Sequence, residues 1–161
     1  MKKAALSLFV FLLISKNIYA QTTKSDGVRL RVIHLNHVGK IYKLSTEDNT
    51  LTYLRYLGKV NTVKGKIYKI LTSTWIWGLS HRATNRILVY TKNNRYVGNY
   101  YLTTTDDIPD YVKNNKLVFL DKGNGCDPKL ITYLDFNKGI PKHFFCKCKG
   151  NNGDIYTFST D

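Results

Sequence analysis

"RILVYTKNNRYVGNYYL", residues 86–102, decides the fold. Two runs of aliphatic, β-branched and aromatic residues flank a short polar centre, and such residues suit a pleated, half-buried surface. Asn93-Asn94 tolerate positive φ and fit a two-residue hairpin turn. That turn sets Thr91 against Tyr96, Val89 against Gly98 and Ile87 against Tyr100. The stretch therefore reads as two antiparallel strands.

The same grammar extends in both directions. Beyond Ala20 the chain has one alanine (Ala83), one glutamate (Glu47), one glutamine (Gln21) and no methionine, so the strong helix formers are nearly absent. Short apolar or alternating runs recur at 28–34, 40–45, 51–57, 66–74, 116–120, 130–136, 142–148 and 154–159. Turn residues separate them; Asn137-Lys138-Gly139 and Asn152-Gly153 are further hairpin candidates. The expected fold is all-β: an antiparallel meander of about 8–10 strands, closed as a barrel or folded as a sandwich. "TTTDDIPDYVKNN" (103–115) interrupts the pattern, and Pro109 with Asn114 and Asn115 predicts one short helical turn there. No segment of helical length stands out.

The N-terminus bears on compartment. Lys2 and Lys3 precede an uncharged apolar run from Ala4 to Ile14, and a small residue, Ala20, follows a polar stretch. This is the pattern of a cleaved signal peptide over residues 1–20. The run is shorter than the roughly 20 apolar residues that a membrane span requires. The expectation is a single all-β domain over 21–161, exported to the periplasm or the extracellular space, with no transmembrane segment in the mature chain. Losing Lys2, Lys3 and Lys16 lowers the formal charge from +14 to +11.

The three cysteines are Cys126, Cys146 and Cys148. With His143 they make a nominal zinc set, but on an extended strand His143 points away from Cys146 and Cys148. An oxidising compartment also favours thiol pairing. Cys146 and Cys148 share a strand face with parallel Cβ vectors, a poor geometry for bonding to each other. Cys126 in the loop "KGNGCDP" is the expected partner of either one. Neither a metal nor a cofactor is expected.

A basic mature chain invites an anionic polysaccharide or another cell-surface component. Nucleic acid is disfavoured, because no run of five basic residues and no nucleic-acid motif occurs. Read as strands, the chain places Arg29 with Arg31, and Lys147 with Lys149, on common faces. Trp75 and Trp77 also share a face. Buried, they are core anchors, the default for large aromatics; exposed, they are a platform for a sugar or another flat apolar ligand. His34 and His37 make a weak metal pair, and Asp106, Asp107 and Asp110 read as capping residues rather than a calcium loop. No nucleophile elbow, zincin helix or phosphate loop occurs. The function expected is an exported, non-catalytic binding or interaction module. The alternative is a small hydrolase acting on a cell-surface polymer, which a cleft with two facing aspartates would favour.

Overall fold

The computed structural model describes residues 26–45, 50–120, 123 and 125–160. The expected signal peptide, 1–20, lies outside the described residues. Among the described residues ten strands follow one helix: β1 (Ile41–Ser45), β2 (Leu51–Asn61), β3 (Ile67–Trp77), β4 (Arg82–Thr91), β5 (Tyr96–Leu102), β6 (Tyr111–Lys113), β7 (Lys116–Leu120), β8 (Ile131–Asp135), β9 (His143–Lys149) and β10 (Asn152–Ser159). They form a seven-stranded antiparallel sheet of order β1-β2-β3-β4-β5-β10-β9 and a three-stranded sheet, β6-β7-β8. The sheets are open and layered; no closed barrel forms. The inner face of the large sheet meets the small sheet through Ile70, Ile87, Val89, Tyr100, Phe144 and Tyr156, packed with Leu117, Phe119, Leu134 and Phe136. Full burial of such a side chain stabilises by about 1.5–3 kcal/mol.

The opening hairpin forms with one adjustment. Ile87 pairs with Tyr100 and Val89 with Gly98, as expected, but Tyr90 pairs with Tyr96. Thr91 N donates to Arg95 O at 2.8 Å, so the loop is Lys92-Asn93-Asn94, with Asn94 alone at positive φ (62°). Val97 is the bulged residue that restores register. A bulge at Leu57 in β2 likewise shifts the alternation, so that Leu54 and Tyr56 face the outer core while Val60, four residues past Tyr56, faces the inner one.

Four expectations need correction. Residues 28–34, expected as a strand, belong to a helix, α1, over 26–35. Its Val32 and Ile33 are buried, with Val28 and Leu30 packed beside them, on Leu54, Tyr56, Leu71, Leu88 and Tyr90 of the outer sheet face. Strict alternation cannot bury both Val32 and Ile33; a helix stripe does. Asn36, at φ 53°, ends α1 in left-handed geometry. Residues 103–110 form bends and turns rather than a helical turn, and Asn114-Asn115 (φ 50° and 59°) turn the β6–β7 hairpin. The last hairpin turns at Gly150-Asn151, with Asn152 opposite Lys149, while Gly153 lies within β10. Gly139 takes positive φ (128°) as expected, yet its turn carries the chain from the small sheet to the large one.

Candidate functional site

On β3, Ile70, Thr72 and Thr74 are buried on the inner face, which turns Leu71, Ser73, Trp75 and Trp77 outward. The helix α1 covers Leu71 but not the far end of the strand. Trp75 is therefore 43% exposed, and Trp77 is half-buried. The default reading of both as core anchors is overturned, because the outer face is roofed along only part of its length. The two indoles stack, with centroids 5.6 Å apart and planes 26° from parallel. Trp77 Nε1 donates to Thr84 Oγ1 at 3.1 Å, and the Arg82 guanidinium lies 5.9 Å from the Trp77 ring centre. These contacts fix the Trp77 ring beside the partly exposed Trp75.

Pairing carries this outer face across the sheet. Trp75 pairs with Thr84, Arg86 with Tyr101, Phe158 with Tyr100, and Ile155 with Phe145. Alternation then places Trp75, Trp77, Arg82, Arg86, Tyr101, Ile155, Phe145, Lys147 and Lys149 on one face. Arg29 and Arg31 do not act as the pair that a strand would make. Two residues apart on a helix is about 200° of rotation. Arg29 is held by Asp26 at 3.3 Å, and Arg31 is exposed.

The cysteines occupy the other side. Cys126 and Cys148 form a disulfide, and the Asp127 N–H donates to Cys148 O at 2.8 Å to seat the loop beside β9. Cys146 is buried in the inter-sheet core and lies outside that bond. His143 faces outward, so the four nominal zinc donors do not converge. His34 Nε2 accepts from Asn94 at 2.6 Å and His37 shares a hydrogen bond with the Tyr42 hydroxyl at 2.7 Å, so the two histidines serve different partners.

Two clefts open at the inner face. One of about 390 Å³ is lined by Ile41, Tyr53, Arg55, Thr72, Thr74 and Asp106. Burial lowers the Arg55 pKa from its ordinary value, and nearby Asp110 opposes that shift. The other, about 300 Å³, is lined by Asp106, Asp107, Lys147, Asp154 and the disulfide. The Tyr156 hydroxyl donates to Asp107 Oδ2 at 2.6 Å and lies 3.5 Å from Asp154 Oδ2. Burial, and then Asp107, raises the Tyr156 pKa. Asp107 also accepts from Thr104 N at 3.3 Å and Thr104 Oγ1 at 2.8 Å. Asp110 accepts from Leu120 N at 2.9 Å. These carboxylates secure the 103–110 segment. Asp107 and Asp154 both converge on the Tyr156 hydroxyl in this cleft. Among the described residues, no group of three acidic, histidine or cysteine side chains is placed to hold a metal, and no helix is long and apolar enough to cross a membrane.

Sequence reasoning missed Tyr101, Phe145, Ile155 and Arg86 as members of the outer face. Alternation within each strand was readable, but the junction of β5 with β10 was not. Comparison of the chain with protein-family models, curated proteins and solved structures finds no match.

Proposed function

We propose that the protein is an exported, non-catalytic binding module: one domain over residues 21–161, freed from a signal peptide, that holds carbohydrate at a cell or matrix surface. The observation that carries this reading is the stacked Trp75–Trp77 pair with Trp75 open to solvent. A sugar ring offers an apolar C–H face to an aromatic ring, and each such contact contributes about 1 kcal/mol beyond buried area. A contact of this size is weak by itself, as in a module that gains strength from repeated attachment.

The test is a fluorescence titration of the purified protein with neutral and acidic oligosaccharides. Binding that shifts tryptophan emission, and that Trp75→Ala weakens, is expected. An unchanged spectrum with every glycan would refute the reading. The hydrolase alternative predicts release of reducing ends from a polymer and its loss in Asp107→Asn or Asp154→Asn.

A further inference from the structure

We infer that the outer face binds an extended, negatively charged polysaccharide laid across five strands, perpendicular to them. This inference rests on the carbohydrate reading above and goes beyond it in naming the path and charge of the ligand. The path follows from register. Trp75 and Thr84 are paired, and Arg86 with Tyr101 lies one step along the strands. Continuing the β5–β10 register puts Thr157 beside Tyr101, and the β10–β9 register puts Phe145 beside Ile155. The open residues thus fall on two neighbouring lines across β3, β4, β5, β10 and β9, with Trp75, Ile155 and Phe145 on one and Arg86 and Tyr101 two residues along on the other, taking the β5–β10 register on from its Phe158–Tyr100 pair. Four strand spacings make the crossing about 19 Å long.

This surface is apolar and open. Trp75 is 43% exposed, Tyr101 55%, Phe145 40% and Ile155 72%. Isolated exposed apolar residues are ordinary, but a contiguous patch marks a binding surface. The Phe145 ring lies over Gly153, where an added Cβ would stand 2.7 Å from its Cζ. Glycine there lets the ring settle onto the neighbouring strand. The helix α1, packed on Leu71 and Leu88, borders the β3–β4 end of this surface.

The charge argument is complementary. By alternation Arg82, Arg86, Lys147 and Lys149 stand on this face, Lys147 also bordering the inner cleft that holds Asp106, Asp107 and Asp154, and the strand residues on the outer face include no acid. None of the four cations forms an ion pair among the described residues; the pairs there are Arg29–Asp26 and Lys116–Asp135. Arg86 Nε is buried without a hydrogen-bond partner among the described residues. Long aromatic spacing with unpaired cations between and beyond the rings fits a chain that alternates apolar ring faces with carboxylates. A neutral glycan would leave the cations unused.

The experiment measures binding of a length series of oligogalacturonides, dimer to octamer, and of cello-oligosaccharides of matching length. Affinity should rise with length for the acidic series and exceed that of the neutral one. Acidic binding should also weaken as salt rises, because each carboxylate bound by a cation releases counterions that added salt drives back. Phe145→Ala should weaken the octamer by about tenfold and leave the dimer unchanged, whereas Trp75→Ala should weaken both. Lys147→Gln should flatten the salt dependence without unfolding the chain, since this side chain is exposed. Equal binding of neutral and acidic sugars, or no gain with length, would overturn this inference and leave the binding-module reading standing. Absence of binding to any sugar would remove both. Preference for anionic lipid vesicles over the oligosaccharides, or a stable dimer in solution that Phe145→Ala dissociates, would assign the face to a different occupant and overturn it too.

Discussion

The Cys126–Cys148 bridge offers the sharpest quantitative test. The cysteines are separated by 22 residues. In the chain-entropy account, closing a loop of that length removes about 11 cal/mol/K from the unfolded chain, or about 3 kcal/mol at room temperature. The perturbation is the double variant Cys126→Ser/Cys148→Ser, because a single substitution would leave one thiol able to pair with Cys146. The Asp127–Cys148 hydrogen bond uses backbone atoms and survives the change. Urea unfolding should show a loss of about 3 kcal/mol, and a thermal scan a fall of about 10 °C for a domain of this size. The dependence on urea should steepen, since the unlinked chain exposes more surface. Wild-type protein in reductant should reproduce the variant. Cys146→Ala, which leaves the bridge intact, should cost less than about 1.5 kcal/mol and leave that dependence unaltered. A double variant within about 0.5 kcal/mol of wild type would refute the reasoning. So would a larger loss from Cys146→Ala than from the double variant.

Other outcomes follow from burial and backbone geometry. Trp75→Ala should cost less than about 1 kcal/mol, while Leu71→Ala on the same strand face, fully buried, should cost about 2–5 kcal/mol; comparable losses in urea titration would return Trp75 to the core. Gly98→Ala brings a Cβ to 2.2 Å from Ser159 O and 2.5 Å from the Phe158 ring, so it should destabilise by about 2–4 kcal/mol in the same assay, with Gly65→Ala, also at positive φ, as the uncrowded comparison. Burial raises the Tyr90 pKa to about 12 and also raises those of Tyr100 and Tyr156. A raised folded-state pKa favours the protonated native phenol. That stability is complete below the unfolded value near pH 10 and is lost as pH climbs through about 12. Phenolate absorbance should therefore complete only with loss of circular dichroism, and full ionisation of an intact fold would contradict this burial. N-terminal sequencing of exported protein should read Gln21 first; an intact Met1 would contradict export by cleavage.

What the sequence disclosed was local chemistry. Ile87–Tyr100 and Val89–Gly98 pair as alternation and turn residues required, and Asn114, Asn115 and Gly139 take the left-handed geometry their side chains allow. The helix at 26–35 escaped because Val28, Leu30 and Val32 fit a period of two as well as a packed stripe, and its stability comes from Leu71, Leu88 and Tyr90 far along the chain. The turn at 137–139 has the same residues whether it joins paired strands or passes between sheets. Cys146 and Cys148 face the same way, so only the seating of the 126–130 loop selects Cys148. Likewise, Trp75 and Trp77 were assignable to a common face, but which face lacks a roof depends on where α1 stops.

The large sheet is unevenly sewn. Strands β3 and β4 pair from Tyr68–Thr91 to Trp77–Arg82, whereas β10 joins β5 at Phe158–Tyr100 and Ser159–Asn99. Few main-chain bonds cross that seam, and local opening favours such places, although Phe144 and Tyr156 tie the hairpin into the shared core. Amides of the β9–β10 hairpin should exchange with solvent ahead of those in β3 and β4. Trp75 and Tyr101 lie on one bank of the seam, Ile155 and Phe145 on the other. A ligand long enough to touch both banks binds only while they are joined, so by mass action it must slow exchange in the hairpin. A ligand confined to the tryptophans has no such hold, and the exchange rates of β9 and β10 would distinguish the two.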